Sequence, residues 1–252
     1  MYREGTNMDY NNIGISSEYD RDRVRHLLKI GIFSAILVLI GDMLLGWGRN
    51  DETLSGMEQY FSRYIGVSNA RIFWSALLGM IGIPTECLCY FAIYRMIALK
   101  SPKYAHIYRS GIFGMLIFGA FVHVMCCALI WHFKSHLIYN AETAGYEMQT
   151  AIESTISFAG AFLLPASIIL FVFMMILAVT QITAFSKGLT PYPKWCLIFN
   201  ILFGIADIII MRLCGNQPWA YALSTGWISI GNLWTFGGLL LISKKKNNRD
   251  TR

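Results

Sequence analysis

Residues 111–131 read GIFGMLIFGAFVHVMCCALIW. The stretch is long enough to cross a bilayer, which takes about 20 mostly apolar residues. It carries no formal charge, yet His123 lies near its middle. An imidazole at that depth needs a hydrogen bond, a ligand or water beside it, because lipid offers no partner. The rest of the chain reads as further spans packed around this one.

Composition points the same way. Of the 252 residues 55% are apolar and 14% are charged, against about 25% charged in ordinary soluble domains. The charges are segregated: long runs hold almost none, and Lys and Arg collect between them. This pattern is that of an all-α polytopic membrane protein. A membrane β-barrel would alternate over segments of about ten residues, and no such segments occur. The net charge of +6 sits beside the spans, where lipid headgroups meet it, so the expected partner is the bilayer and not nucleic acid. The six cysteines lie in or beside apolar runs, which predicts buried free thiols and not a secreted disulfide framework.

The hydropathy pattern predicts a bundle of six transmembrane helices: Leu27–Trp47, Arg71–Leu99, Tyr108–Phe133, Ser154–Phe185, Lys194–Leu213 and Trp219–Ser243. Residues 1–26 form a polar N-terminal tail, expected to start disordered and then form a short helix through Asp20–Arg23 that continues into the first span; 27–243 form the transmembrane domain and 244–252 a basic tail. No cleavable signal peptide is expected, since the first apolar run comes late and ends in Gly41-Asp42. With a cytoplasmic N-terminus, the inner segments hold 16 Lys and Arg and the outer segments 5. Both termini are therefore predicted cytoplasmic, in a multi-pass protein of the cell membrane. Pro165 gives the long fourth span a place to bend. The connection at 48–70 has the pattern of an amphipathic surface helix, and the link at 134–153 is polar and acidic.

The polar residues inside the spans are the candidates for a site. Asp42 lies near the end of the first span. Ser75, Gly79, Gly82 and Glu86 share one face of the second. Of these, the small residues have a plain reading as a packing seam that lets helices approach. His123 and Cys126/Cys127 mark the third span, Asn200 and Asp207 the fifth, and Thr225, Ser229 and Asn232 one stripe of the sixth. A charge at the bilayer centre costs about 2.5–3.5 kcal/mol on insertion scales, so an intramembrane carboxylate implies a use. By depth, Asp42 and Asp207 fall below the outer surface, Glu86 and His123 near the midplane, and His132 and Glu153 at the outer rim. These residues, with Asn232, are expected to line one polar cavity that opens outward and binds a ligand.

Other chemistries are tested by spacing. His123 and His132 are nine residues apart, about 900° of a straight helix, which puts them on opposite faces. His132 and His136 are i, i+4 and form a weak metal pair. Asp42, Glu86 and His123, from three helices, make a weak donor set for a hard or borderline ion. No motif indicates a cofactor: H-E-x-x-H, G-x-S-x-G and the P-loop are absent. One mid-span histidine does not provide the paired axial ligands of a bis-histidine haem. Trp47, Trp74, Trp131, Trp195 and Trp219 fall near span ends, as an interfacial belt requires.

Several segments also carry a resemblance. They are Gly41-Asp42-Met43-Leu44-Leu45 closing the first span, Arg71 opening a Gly-rich second, and the mid-span histidine of the third. Tyr192-Pro193-Lys194-Trp195 entering the fifth and Gly231-Asn232 in the last complete the set. In this order they resemble an uncharacterised family of bacterial six-span integral membrane proteins, a domain of unknown function. The resemblance implies a membrane location, supplies no activity, and directs attention to Asp42, His123, Trp195 and Asn232.

Three functions remain in view. The first is binding or moving a lipid or small polar solute through the outward cavity, with Asp42, Glu86 and His123 as ligands or proton carriers. The second is a lipid hydrolase or isomerase with His123 as acid/base and Asp42 or Glu86 as its catalytic partner. The third is a structural or regulatory subunit without a site, in which Asp42 and Asp207 pair with Arg49 and Arg212.

Overall fold

The structure, a computed structural model, describes residues 17–143 and 148–250, with side chains over 21–137 and 148–243. Every regular element among these is helical. In chain order they are α1 (Ser17–Gly46), α2 (Gly56–Ile65), α3 (Asn69–Cys89), α4 (Phe91–Ala98) and α5 (Pro102–Thr143). Then come α6 (Met148–Phe158), a π-helical turn (Ala159–Leu163), α7 (Leu164–Ser186) and a 3₁₀ turn (Lys194–Ile198). The chain ends with α8 (Phe203–Leu213), α9 (Pro218–Thr225) and α10 (Trp227–Asp250).

Four stretches are long and apolar enough to cross a membrane: Arg21–Gly46, Asn69–Ala98, Pro102–Leu137 and Met148–Ser186. A fifth is added if α9 and α10, bent by 65° at Gly226, form one span. Lys194–Leu213, expected as a continuous helix, is instead the 3₁₀ turn, an irregular corner and the eleven-residue α8. Side chains replace the helical ladder at that corner. Asn200 Nδ2 donates to Ala178 O at 3.2 Å and Gln181 Nε2 to Phe199 O at 2.6 Å, while Leu202 N donates to Asn200 Oδ1 at 3.1 Å. Protein covers this non-helical backbone: Phe199, Asn200 and Ile201 are all buried.

Other boundaries shift for local reasons. Helix α1 starts at Ser17 and runs unbroken through Asp20–Arg23 into the first span, as expected; residues 1–16 of the tail, with the expected disordered start, fall outside the described residues. Helix α5 runs on to Thr143, so much of the expected polar link is helix. Pro165 has no N–H and its ring crowds the carbonyl four residues back. The chain absorbs this in the π turn just before it, where Leu164 N bonds to Ala159 O. The 48–70 connection does hold a helix, α2, but its Phe61 is buried with Phe133, Met148, Ala151 and Ile152 of α5 and α6.

Helix α1 is the hub, packing on α3, α4, α9 and α10, while α5 packs on α3, α4, α6 and α7. The 3₁₀ turn packs on α7, and α8 packs on α9 and α10. Within lipid there is little hydrophobic drive between helices, so close approach of backbones does the work. A Cβ on Gly82 would lie 2.5 Å from Val38 Cγ2, and one on Gly231 would lie 2.1 Å from Ile201 O. Outward-facing apolar side chains such as Phe33, Ile117 and Leu241 are more than half exposed, as lipid contact requires. The five belt tryptophans are exposed too.

Candidate functional site

The bundle brings four helices together around Asp42. One turn from Asp42, the end of α1 is fixed by Arg71 of α3, whose Nε donates to Leu44 O at 2.8 Å and Nη2 to Trp47 O at 2.7 Å. A cation on the last carbonyls of a helix both caps them and complements the dipole. The anchored end sets Asp42 against α5 and α10. Asp42 Oδ1 lies 3.3 Å from His123 Nδ1, and Ser229 Oγ donates to Asp42 Oδ2 at 2.9 Å.

The other side of the imidazole meets α3. His123 Nε2 lies 3.0 Å from Ser75 O and 3.4 Å from Ser75 Oγ. Cys127 Sγ, one turn further along α5, donates to Ser75 Oγ at 3.6 Å. The ring reaches Ser75 because residue 79, one turn on, is glycine: a Cβ there would sit 2.1 Å from His123 Cδ2. The Ser75/Gly79/Gly82 stripe is therefore a packing seam and also half of the histidine's seat.

Donor and acceptor rules then constrain the protons. A carbonyl only accepts, so Nε2 facing Ser75 O carries a hydrogen. Nδ1 faces a carboxylate, so one further proton lies between Nδ1 and Oδ1. The pair is either imidazolium with carboxylate or imidazole with carboxylic acid, and is neutral as a unit in both forms. A neutral unit is what a low-dielectric site accepts.

Glu86 lies elsewhere on α3 and belongs to a second group. It hydrogen-bonds with Asn232 and is within electrostatic reach of Asp42. Tyr90 Oη donates a hydrogen bond to Asn232 Oδ1, and Thr235 also bonds to Tyr90. Ser229 and Asn232 stand three residues apart on α10, so one face of that helix serves both groups. Glu86 Oε1 itself has no hydrogen-bond partner.

The remaining candidates do not join this arrangement. Asp207 on α8 is buried with its Oδ2 unpartnered. Asn200 is spent on the corner described above. Thr225 lies beyond the bend at Gly226, bonds to Tyr221 O at 2.8 Å and so leaves the α10 stripe. His132 and His136 both turn Nε2 to Ser154 Oγ, at 3.1 and 3.2 Å, and Glu153 accepts from Gln149. Trp195 stacks edge-on with Phe199. Among the described residues no three His, Cys, Asp or Glu side chains gather as a metal site, so Asp42, Glu86 and His123 are not one donor set. Asp42 pairs with His123, not with Arg49. The described cysteines are free.

Two cavities stand out, and neither is lined by Asp42, Glu86 or His123. One, of about 210 Å³, lies between the start of α1, the end of α4, Pro191–Pro193 and the end of the span in α10. The other is an open hollow between α2 and α6, lined by Asp51, Glu58 and Gln149 among others. Sequence reasoning read Ser75 as part of a packing seam and named Cys127 and Ser229 only as polar positions in their spans; Tyr90 it did not single out. The available signal was spacing: Ser75 is one turn from Gly79, where the absent side chain leaves room for the His123 ring.

The family model described as "Family of unknown function (DUF6796)" matches residues 8–246, and the chain belongs to that family. No curated protein and no solved structure matches it.

Proposed function

Because membership of a family of unknown function supplies no chemistry to carry over, we propose a reading from the buried network itself. The chain is a six-crossing membrane protein of the cell membrane, with both termini in the cytoplasm. It binds or moves a lipid or small polar solute, and the Asp42–His123 pair is the element that holds the proton. The observation that carries this is the 3.3 Å Asp42–His123 contact, built from α1 and α5 and seated by Ser75 and Ser229. A merely structural subunit has no need of a shared proton assembled from four helices.

Six crossings are supported by which residues meet at each end. Arg21, Met96, Tyr192 and Ile242 border one cavity. Asn50 and Asn216 bond to each other at the opposite end, as do Arg71 and the end of α1. We read the segment from Tyr192 to Asn216 as a further, broken crossing between those two ends.

The test is extraction of small molecules and lipids from detergent-purified wild type, Asp42→Asn and His123→Gln. The reading expects a species held near one per chain by the wild type and reduced at least tenfold in both variants. Identical extracts from folded variants overturn it. A second reading has its own observation: Ser75 Oγ, His123 and Asp42 follow each other at 3.4 and 3.3 Å, the order of a nucleophile, base and orienting acid. Covalent labelling of the wild type, and not of Ser75→Ala, by a fluorophosphonate would favour that hydrolase. Ser75 is fully buried and Nε2 lies nearer its carbonyl than its hydroxyl, so no labelling is expected.

A further inference from the structure

Towards the end of α5, away from the Asp42–His123 pair, two imidazoles aim at one point. His132 Nε2 lies 3.1 Å and His136 Nε2 3.2 Å from the same oxygen, Ser154 Oγ of α6. The i, i+4 spacing puts both rings on one face of α5, one turn apart. Their orientation is fixed from the sides. His132 stacks on Phe158, with ring centroids 5.1 Å and planes 20° apart, and meets His136 edge-on at 4.5 Å. His132, His136 and Ser154 are all partly exposed. Lys134, which falls between the histidines in sequence, is turned elsewhere, to Val67 O and Asn69 Oδ1 at the start of α3.

One hydroxyl proton is shared here between two rings. Ser154 has a single O–H, so it donates to one Nε2 at most, and the other Nε2 must donate to Oγ. Holding α6 against α5 takes one such imidazole and leaves the second without a reason. What two convergent ring nitrogens satisfy together is a cation that takes a lone pair from each. We propose that His132 and His136 form a binding site for a divalent ion of the zinc, copper and nickel class, seated between α5 and Ser154 of α6. Imidazole suits these ions, whereas magnesium and calcium favour oxygen donors. Zinc sits about 2.0–2.1 Å from a histidine nitrogen, so the ion takes the point on which both Nε2 atoms converge. Ser154 Oγ, which turns on a single bond, draws back from it. Among the described residues no third His, Cys, Asp or Glu joins the pair. Water therefore completes the shell, and the partial exposure of the site admits it. Glu153, exposed on the same turn of α6, brings a negative charge to that side.

The experiment titrates the full chain in detergent with Zn²⁺ against a competing chromophoric chelator, above neutral pH so that both imidazoles are uncharged. Saturation at one ion per chain is expected. His132→Gln and His136→Gln are each expected to weaken binding at least tenfold. Ser154→Asp puts a carboxylate where both nitrogens point and is expected to tighten binding at least tenfold. With Cu²⁺, electron paramagnetic resonance is expected to show two coordinated nitrogens in the wild type and one in either histidine variant. Unchanged zinc affinity with both histidines replaced overturns the proposal, since the ion would then lie on other groups. So does a Ser154→Asp variant that binds no tighter than the wild type, and this arm decides the matter even where the histidine variants fail to fold. Asp42→Asn is expected to leave zinc binding unchanged. A loss there would place the ion at the core pair and overturn the proposal as well.

Discussion

Asp42 and Asp207 are buried alike, at 9% and 8% exposure, yet their surroundings differ completely. Asp42 sits on the unbroken α1 and receives a partner on each oxygen, from α5 and from α10. Asp207 sits on the short α8 and leaves Oδ2 without one. Burial alone therefore does not distinguish the two; convergence of separate helices on one group does. Asp42 is where four helices agree, and Asp207 is a carboxyl placed by the shape of one.

The sharpest way to break that contrast is to remove both carboxylates in turn. Asp42→Ala strands His123 with one nitrogen unpaired inside the membrane, and removing one partner of a buried pair costs about 3–5 kcal/mol. A fall of that size in unfolding free energy, read in detergent by denaturant titration, is the expected result. If Asp207→Ala costs as much, the distinction between a convergent and a solitary carboxyl is lost. The seat of the ring is tested next. Gly79→Val forces a side chain where even a Cβ would lie 2.1 Å from His123 Cδ2. Overpacking of this kind costs about 1–3 kcal/mol, and the imidazole must leave Ser75. Gly66→Ala, at a position with nothing within 4 Å, is its control and is expected to change little. Third, Asp207→Asn removes a charge that nothing compensates, so stability is expected to hold or rise by up to about 1 kcal/mol. A clear loss would reveal a partner for Asp207.

Much of this was legible in the residues. Continuous apolar runs gave helices long enough to cross a membrane, and polar residue type within the runs singled out Asp42 and His123, which lie in contact. The face shared by Ser75, Gly79, Gly82 and Glu86 is buried as spacing predicts. Three things were not legible. The corner at Phe199–Leu202 depends on Gln181 reaching across from α7, and a one-dimensional pattern cannot show a bond between distant segments. The pairing of Asp42 with His123, leaving Glu86 to Asn232, depends on rotation of α1 and α10 about their axes. Hydropathy scarcely constrains that rotation. The cavity at Pro191–Pro193 is invisible for the same reason: it is bounded by four segments from across the chain.

The smallest expected effect concerns a third carboxylate, Asp51, which solves the same problem in water. Its Oδ1 accepts from Thr53 Oγ1 at 2.7 Å and from Thr53 N at 2.9 Å, so its partners lie two residues away and not on other helices. The Thr53 hydroxyl first, and the Thr53 backbone N–H second, hold its carboxyl below the ordinary value of 3.8. A carboxyl lowered on folding contributes stability above its unfolded pKa and loses it as pH falls through the folded one. The turn at 51–54 should accordingly loosen only below about pH 4, the ordinary aspartate value, and solvent screening keeps the effect local. Thr53→Val deletes the hydroxyl and keeps the N–H, so the Asp51 resonance in detergent micelles should titrate closer to 3.8, with the unfolding temperature of the bundle unchanged. An unaltered titration would mean that the hydroxyl does not hold the charge. A cooperative loss of the whole fold would mean that a surface carboxylate is tied to the core, which is the property reserved here for Asp42.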